Sequence, residues 1–133
     1  MAKLRILLAD DHRRVMEAAL KLLRPAFDVV GVVGNGQALV EAATELKPDV
    51  IITDISMPVL NGIEAVRILN DSGCGSRFIF LTVHNEIDFV RACLAAGALG
   101  FVIKSRISSD LLDAVREALA GRVFISRPLA RKN

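Results

Sequence analysis

Short, wholly apolar runs alternate with segments of helical period along almost the entire chain, and this alternation limits the fold more than any single residue does. The runs are Leu4–Ala9, Phe27–Val33, Val50–Thr53, Phe78–Val83 and Leu99–Ile103. They are brief, rich in Val, Ile, Leu and Phe, and apolar at consecutive positions, as strands covered on both faces must be. Between them, Val15, Ala18, Ala19, Leu22 and Leu23 form a stripe with helical spacing. Leu39, Ala42, Ala43 and Leu46 form another, as do Ile87, Val90 and Leu94, and Leu111, Leu112, Val115, Ala118 and Leu119. A helix near residues 63–70 gives the faintest stripe. Five successive βα units predict an α/β fold: a parallel sheet with right-handed crossovers and helices on both faces. Such sheets bind ligands beyond the carboxyl ends of their strands.

The punctuation agrees with that division. Pro25, Gly34-Asn35-Gly36, Pro48 and Gly73-Cys74-Gly75 fall between elements. Asn85 with Asp88 predicts a cap for the fourth helix, and Ser108 or Ser109 predicts one for the fifth. Residues 121–133 stand apart, with Arg122, Arg127, Arg131 and Lys132 and no acid, and read as a basic tail or the start of a linker after a domain over 1–120.

Composition excludes several classes. A hydrophobic fraction of 53% is incompatible with intrinsic disorder. The longest uncharged stretches, Val29–Val40 and Ala92–Ile103, are too short for a membrane span. Lys3 and Arg5 are followed only by Ile6–Ala9 before Asp10-Asp11, too brief an apolar run for a signal peptide. Cys74 and Cys93 form neither a metal-spaced pair nor a disulfide framework, which suggests a reducing cytoplasm. A net charge of +2 is too small to imply that this segment itself binds nucleic acid.

The strand ends hold the chemistry. The first run ends in Asp10-Asp11, the third in Asp54, the fourth in Thr82 and the fifth in Lys104. Each has an ordinary structural explanation: a helix cap, a turn starter, a β-former, a solvated lysine. Together they deliver three carboxylates, a hydroxyl and an ammonium to one rim. Converging carboxylates repel and resist desolvation, so such a rim wants a cation. Lys104 can neutralise part of the charge, and oxygen-only ligands favour Mg²⁺, with Mn²⁺ as an alternative, for the rest.

Asp10-Asp11, Asp54-Ile-Ser-Met-Pro58 with Gly62, Thr82 and Gly100-Phe-Val-Ile-Lys104 resemble the receiver domain of two-component response regulators, over about residues 3–120. The resemblance implies a flavodoxin-like (βα)₅ three-layer sandwich with five strands in the order 2-1-3-4-5. It implies Asp54 as phosphoacceptor from a histidine on a sensor kinase or phosphotransfer protein. Asp10, Asp11, Asp54 and the backbone carbonyl of Ser56 would place the metal, while Lys104 and Thr82 would hold the phosphoryl group. Ser56 and His84, each two positions beyond a site residue, would line the mouth and tune acyl-phosphate lifetime. The switched surface would be the fourth helix, fifth strand and fifth helix, with Arg91, Arg106 and Arg116 exposed on it.

The chain also departs from the family pattern. Phe101 occupies the switching aromatic's position without a hydroxyl, and is equally explained as a core residue. Ser105 follows Lys104 where many receivers have Pro. His12 is expected in the first turn of the first helix, solvated. Val83-His84, Lys104-Ser105 and Gly121–Ser126 resemble receivers joined to a helix-turn-helix DNA-binding domain, so DNA would be reached only through an output domain outside these 133 residues, and a homodimer is a further expected partner. A truncated linker and a free-standing receiver both remain open. Two rival readings fit the residues less well. A haloacid-dehalogenase-type phosphohydrolase needs a second Asp two residues after the nucleophile, where this chain has Ser56. A pseudo-receiver that only binds proteins has no need of the full acid, Thr and Lys set.

Overall fold

The computed structural model of the protein describes residues 3–127. Its elements are β1 (Arg5–Ala9), α1 (Arg13–Leu23), β2 (Asp28–Val33), α2 (Gly36–Leu46), β3 (Val50–Thr53), α3 (Gly62–Asp71), β4 (Arg77–Thr82), α4 (Ile87–Ala95), β5 (Gly100–Ile103), α5 (Ile107–Leu119) and β6 (Phe124–Ile125). A single 3₁₀ turn, Lys104–Arg106, leads into α5. The strand order is β2-β1-β3-β4-β5-β6, and every pairing is parallel.

Side chains alternate between the two faces of a strand, and here both faces are covered. On β1, Leu7 and Ala9 join one apolar cluster and Ile6 and Leu8 the other. On β4, Phe78 and Phe80 take the first face while Ile79 and Leu81 take the second. The first cluster is closed by α2, α3 and α4 through Leu39, Ala65, Val66, Leu69, Val90 and Cys93. The second is closed by α1 and α5 through Ala19, Leu23, Leu111, Ala114 and Val115. Each fully buried Leu, Ile or Phe contributes about 1.5–3 kcal/mol of transfer free energy. The two layers therefore hold the strand ends rigidly at one rim.

Three details differ from the sequence expectations. The sheet has six strands, not five: Phe124 and Ile125, assigned to the tail, pair with Gly100 and Phe101. Their side chains are half-buried against the two apolar clusters, which gives this piece of the tail a reason to dock. Second, Asn85 does not cap α4. Glu86 holds the cap position without a side-chain bond, and its carboxylate accepts from the Asn85 N–H at 3.0 Å. Third, α5 begins at Ile107, before Ser108 and Ser109, because the 3₁₀ turn runs straight into it. Ser109 donates instead to the Arg106 carbonyl and to Asp110. Side-chain caps do occur at Asn35, which accepts from Ala38 N at 2.8 Å, and at Asn61, which accepts from Glu64 N at 2.9 Å. The second of these caps starts the helix whose stripe is faintest in the sequence. Pro128, Arg131 and Lys132 of the basic tail lie outside the described residues.

Candidate functional site: an acidic rim closed by a lysine

Register brings the acids together. Ala9 pairs with Thr53 in adjacent strands, so the residues that follow, Asp10 and Asp54, leave the sheet side by side. Their backbone amides still extend the ladder, Asp10 N to Val33 O at 3.0 Å and Asp54 N to Ala9 O at 2.9 Å. Thr82 pairs with Ile103, which sets Lys104 one residue beyond the end of the neighbouring strand. Gly62 closes the arrangement from the other side. A Cβ there would run into the carbonyl oxygen of Asp54, so only glycine lets α3 start against the loop that follows β3.

Asp10, Asp54 and Thr82 are buried, Lys104 is nearly so, and Asp11 is exposed at the mouth. Asp54 Oδ1 accepts from the Ile55 N–H at 2.7 Å, and Oδ2 accepts from Lys104 Nζ at 3.0 Å. Lys104 Nζ also stands 2.9 Å from Asp10 Oδ2. That second approach is an ion pair without hydrogen-bond geometry, which leaves Asp10 Oδ2 buried and lacking a hydrogen-bond donor. One ammonium thus serves two buried carboxylates, an arrangement that further positive charge would relieve. Asp10, Asp11 and Asp54 each offer an oxygen within reach of the others, a donor set that suits a hard divalent ion.

His12 is not where the sequence suggested. It occupies the N-cap position of α1 rather than its first turn, and its ring turns into the acids although more than half of the side chain is exposed. The turn explains this: the His12 N–H donates to Asp10 Oδ1 at 2.8 Å, which folds the residue back over the rim. At the mouth, Ser56 Oγ and His84 Nε2 lie 2.8 Å apart, and the His84 ring stacks on Phe89 with centroids 4.2 Å apart. The Thr82 hydroxyl accepts from the His84 N–H at 3.1 Å, so the β4–α4 loop is tied to the buried threonine.

The family model for the response regulator receiver domain matches residues 6–116. The chain belongs to that family. It is 36% identical over 126 residues to the nitrate/nitrite response regulator protein NarL of Escherichia coli K12, covering 93% of this chain and 58% of the relative. It is 34% identical over 131 residues to the response regulator GacA of Pseudomonas viridiflava, covering 97% and 61%. The chain thus spans about three-fifths of these curated relatives. Among solved structures it is similar to a LuxR-family two-component response regulator from Aurantimonas sp. SI85-9A1, with a TM-score of 0.91 at 32% identity, covering 98% of this chain and 95% of that one. It is also similar to the signal receiver domain of a NarL from Mycobacterium tuberculosis, with a TM-score of 0.87 at 27% identity, covering 92% and 100%.

In this receiver Phe101 is fully buried in the first apolar cluster, paired with Phe80 on one side and Ile125 on the other. Of the three arginines expected on the output face, Arg91 and Arg116 are exposed, whereas Arg106 is turned onto Asp110 at 3.0 Å. Asp110 also accepts from the Ser126 hydroxyl at 2.7 Å, and Ser126 Oγ in turn accepts from the Ile103 N–H at 3.1 Å. Sequence reasoning missed this buried network. Its one advance signal was a Ser following an apolar pair in the tail, beside an acid near the start of the last helix. Among the described residues no helix is long and apolar enough to cross a membrane.

Proposed function

We propose that Asp54 accepts a phosphoryl group from a phosphohistidine on a sensor kinase or phosphotransfer protein, in a reaction that requires Mg²⁺ or Mn²⁺. The observation that carries this is the pinned Asp54 carboxylate, held by Lys104 and the Ile55 N–H next to a second buried acid, Asp10, that shares the same lysine. An Asp54 oxygen forms the new bond to phosphorus as the phosphorus–nitrogen bond of the donor breaks, and the electron pair returns to the imidazole. Phosphoryl transfer needs positioning and charge neutralisation more than covalent help. Asp10, Asp11, Asp54 and the Ser56 carbonyl would hold the ion, which supplies neutralisation of the phosphoryl oxygens. Lys104 then pairs with one of those oxygens, and Thr82 donates to another. Its hydroxyl keeps the His84 N–H as a donor, so the β4–α4 loop follows the threonine inward. Ser56 and His84, in contact at the mouth, tune entry of the water whose attack on phosphorus releases phosphate and restores the carboxylate.

The chain is on this account a switch that catalyses only its own phosphoryl uptake and hydrolysis. Phosphorylation would shift α4, β5 and α5 between two arrangements, with Phe101 moving into space left by the threonine. That surface would meet a second receiver or an output domain. The curated relatives extend well beyond this chain, and one is named transcriptional regulatory protein DegU, which supports control of transcription through a DNA-binding domain. Cytoplasmic residence is supported by two free cysteines, Cys74 and Cys93, the latter with its thiol pushed up to about 12 by burial.

The test is incubation with acetyl phosphate and Mg²⁺, followed by intact mass and amide exchange. One phosphoryl group should appear, be labile to hydroxylamine, and be absent from Asp54→Asn. Exchange should change chiefly over residues 82–106. An adduct that persists in the variant would move the acceptor elsewhere, and changes confined to α2 would defeat the output surface.

A further inference from the structure

His12 is the residue at the rim that the phosphorylation chemistry does not use; the turn folds it over the acids, and its ring nitrogen then sits between carboxylates and an ammonium. Its Nδ1 lies 3.0 Å from Asp10 Oδ1, 3.3 Å from Asp11 Oδ1 and 3.6 Å from Asp54 Oδ2. The same atom lies 3.0 Å from Lys104 Nζ. No placement of protons satisfies both sets. With a proton on Nδ1, the ring N–H faces an ammonium group that can only donate. Without one, its lone pair faces three carboxylate oxygens that can only accept.

A divalent cation that takes the Nδ1 lone pair together with the carboxylate oxygens relieves the repulsion among them and leaves Lys104 to Asp10 and Asp54, its other two partners. The spacing suits it. Neighbouring ligands of an octahedral ion with bonds of about 2.1 Å stand about 3.0 Å apart. Asp10 Oδ2 is buried, lacks hydrogen-bond geometry to any donor and has only the Lys104 ammonium at 2.9 Å, which also serves Asp54, so one positive charge is shared between two buried acids. His12 is also free to take this role, since it makes no side-chain cap to α1.

We propose that His12 Nδ1 is a nitrogen ligand of the divalent ion at this rim, which makes the site favour Mn²⁺, and more strongly Co²⁺, over Mg²⁺. This rests on the metal requirement proposed above and goes beyond it, from an all-oxygen site to a mixed one. Imidazole adds little for Mg²⁺, which holds water and carboxylate in preference. Along the first transition row, affinity for such a nitrogen donor rises from Mn²⁺ to Co²⁺.

Pulsed electron paramagnetic resonance of Mn²⁺ bound to protein carrying ¹⁵N-labelled histidine tests this directly. The spectrum should show coupling to a histidine nitrogen. That coupling should vanish in His12→Ala and survive in His84→Ala, the only other histidine being the one removed. Calorimetry should find Mn²⁺ affinity reduced about tenfold or more in His12→Ala, the scale on which even outer-shell partners act. Mg²⁺ affinity should change far less. Mn²⁺ that binds wild-type protein without histidine coupling would overturn the proposal and leave the metal requirement standing. Tighter binding by His12→Ala would do the same, and would make the ring a plug rather than a ligand. Failure of the wild-type protein to bind either ion would sink both.

Discussion

Two polar networks meet the two ends of the Lys104–Arg106 turn, and they are solved in opposite ways. At the start of α5 one carboxylate, Asp110, meets Arg106 Nε at 3.0 Å, Ser126 Oγ at 2.7 Å and Ser109 Oγ at 2.9 Å. Donors match acceptors, and one positive charge faces one negative. At the strand-end rim two buried carboxylates share one ammonium with a third acid beside them, and one buried oxygen has no hydrogen-bond donor. Buried polar groups in folded proteins are ordinarily satisfied, so a surplus of acceptors marks a site built for something added later. The Asp110 network holds the chain together. On the function proposed above, a cation and a phosphoryl group complete the Asp54 network.

If that contrast is right, removing a donor hurts most where donors are scarce. Lys104→Met should destabilise the protein by about 3 kcal/mol at neutral pH, since it leaves Asp10 and Asp54 facing each other unpaired. Chemical denaturation measures this. An unchanged midpoint would mean that the rim acids are better hydrated than their burial implies.

Asp110→Ala should come next, at about 2 kcal/mol, because it strands the Ser126 hydroxyl and frees Arg106. Amide exchange at Phe124–Ser126 should rise as β6 loosens, while phosphoryl uptake at Asp54 survives. The acid limb gives a second handle. Burial pushes the Asp110 carboxyl up, but hydrogen bonds from Ser126, Arg106 and Ser109, with the Arg106 charge, outweigh it and hold the group below its ordinary 3.8. Its folded value is thus lower than its unfolded one. The stability it adds is whole above about pH 4–5 and is lost as pH falls through the folded value. Asp110→Asn should flatten that part of the curve, and an identical acid limb would show that the network contributes nothing there.

Adding charge to the under-supplied network should do the reverse. Mg²⁺ at tenfold over its dissociation constant should raise stability by about 1.4 kcal/mol by linkage. The increment should survive Asp110→Ala and be lost in Asp11→Ala. Equal stabilisation of both variants would place the ion elsewhere.

The difference between the networks also explains what could be read from the chain. Asp10, Asp11, Asp54, Thr82 and Lys104 are legible because each follows an apolar strand, and strand ends are set by periodicity that survives in sequence. The strand order was supplied by family resemblance, since apolar runs do not say which neighbours pair. Ser126 was hidden because its role depends on two residues, Phe124 and Ile125, too few to show a period. The caps failed for a related reason. Asn85 and Ser108 have the right chemistry, but loop tertiary contacts decided where α4 and α5 begin. His12 went unseen because its backbone hydrogen bond to Asp10, not any pattern, turns the ring inward.

The smallest expected effect is the most discriminating, because its sign differs from that of nearly every polar substitution in a folded core. Asp11 is the most exposed of the three acids, and its one ion-pair contact among the described residues is with His12. Asp11→Asn keeps the shape of the side chain and removes one of the repelling charges. In metal-free buffer it should raise stability by a few tenths of a kcal/mol, about half the scale of a surface charge pair. In saturating Mg²⁺ the order should invert, with wild type the more stable, because the variant has lost a ligand. Thermal melts of both proteins with and without the ion measure the crossing. Parallel shifts would mean that Asp11 is an ordinary surface acid. A stabilised variant that has lost its metal response would show directly that the rim gives up stability to keep room for a cation.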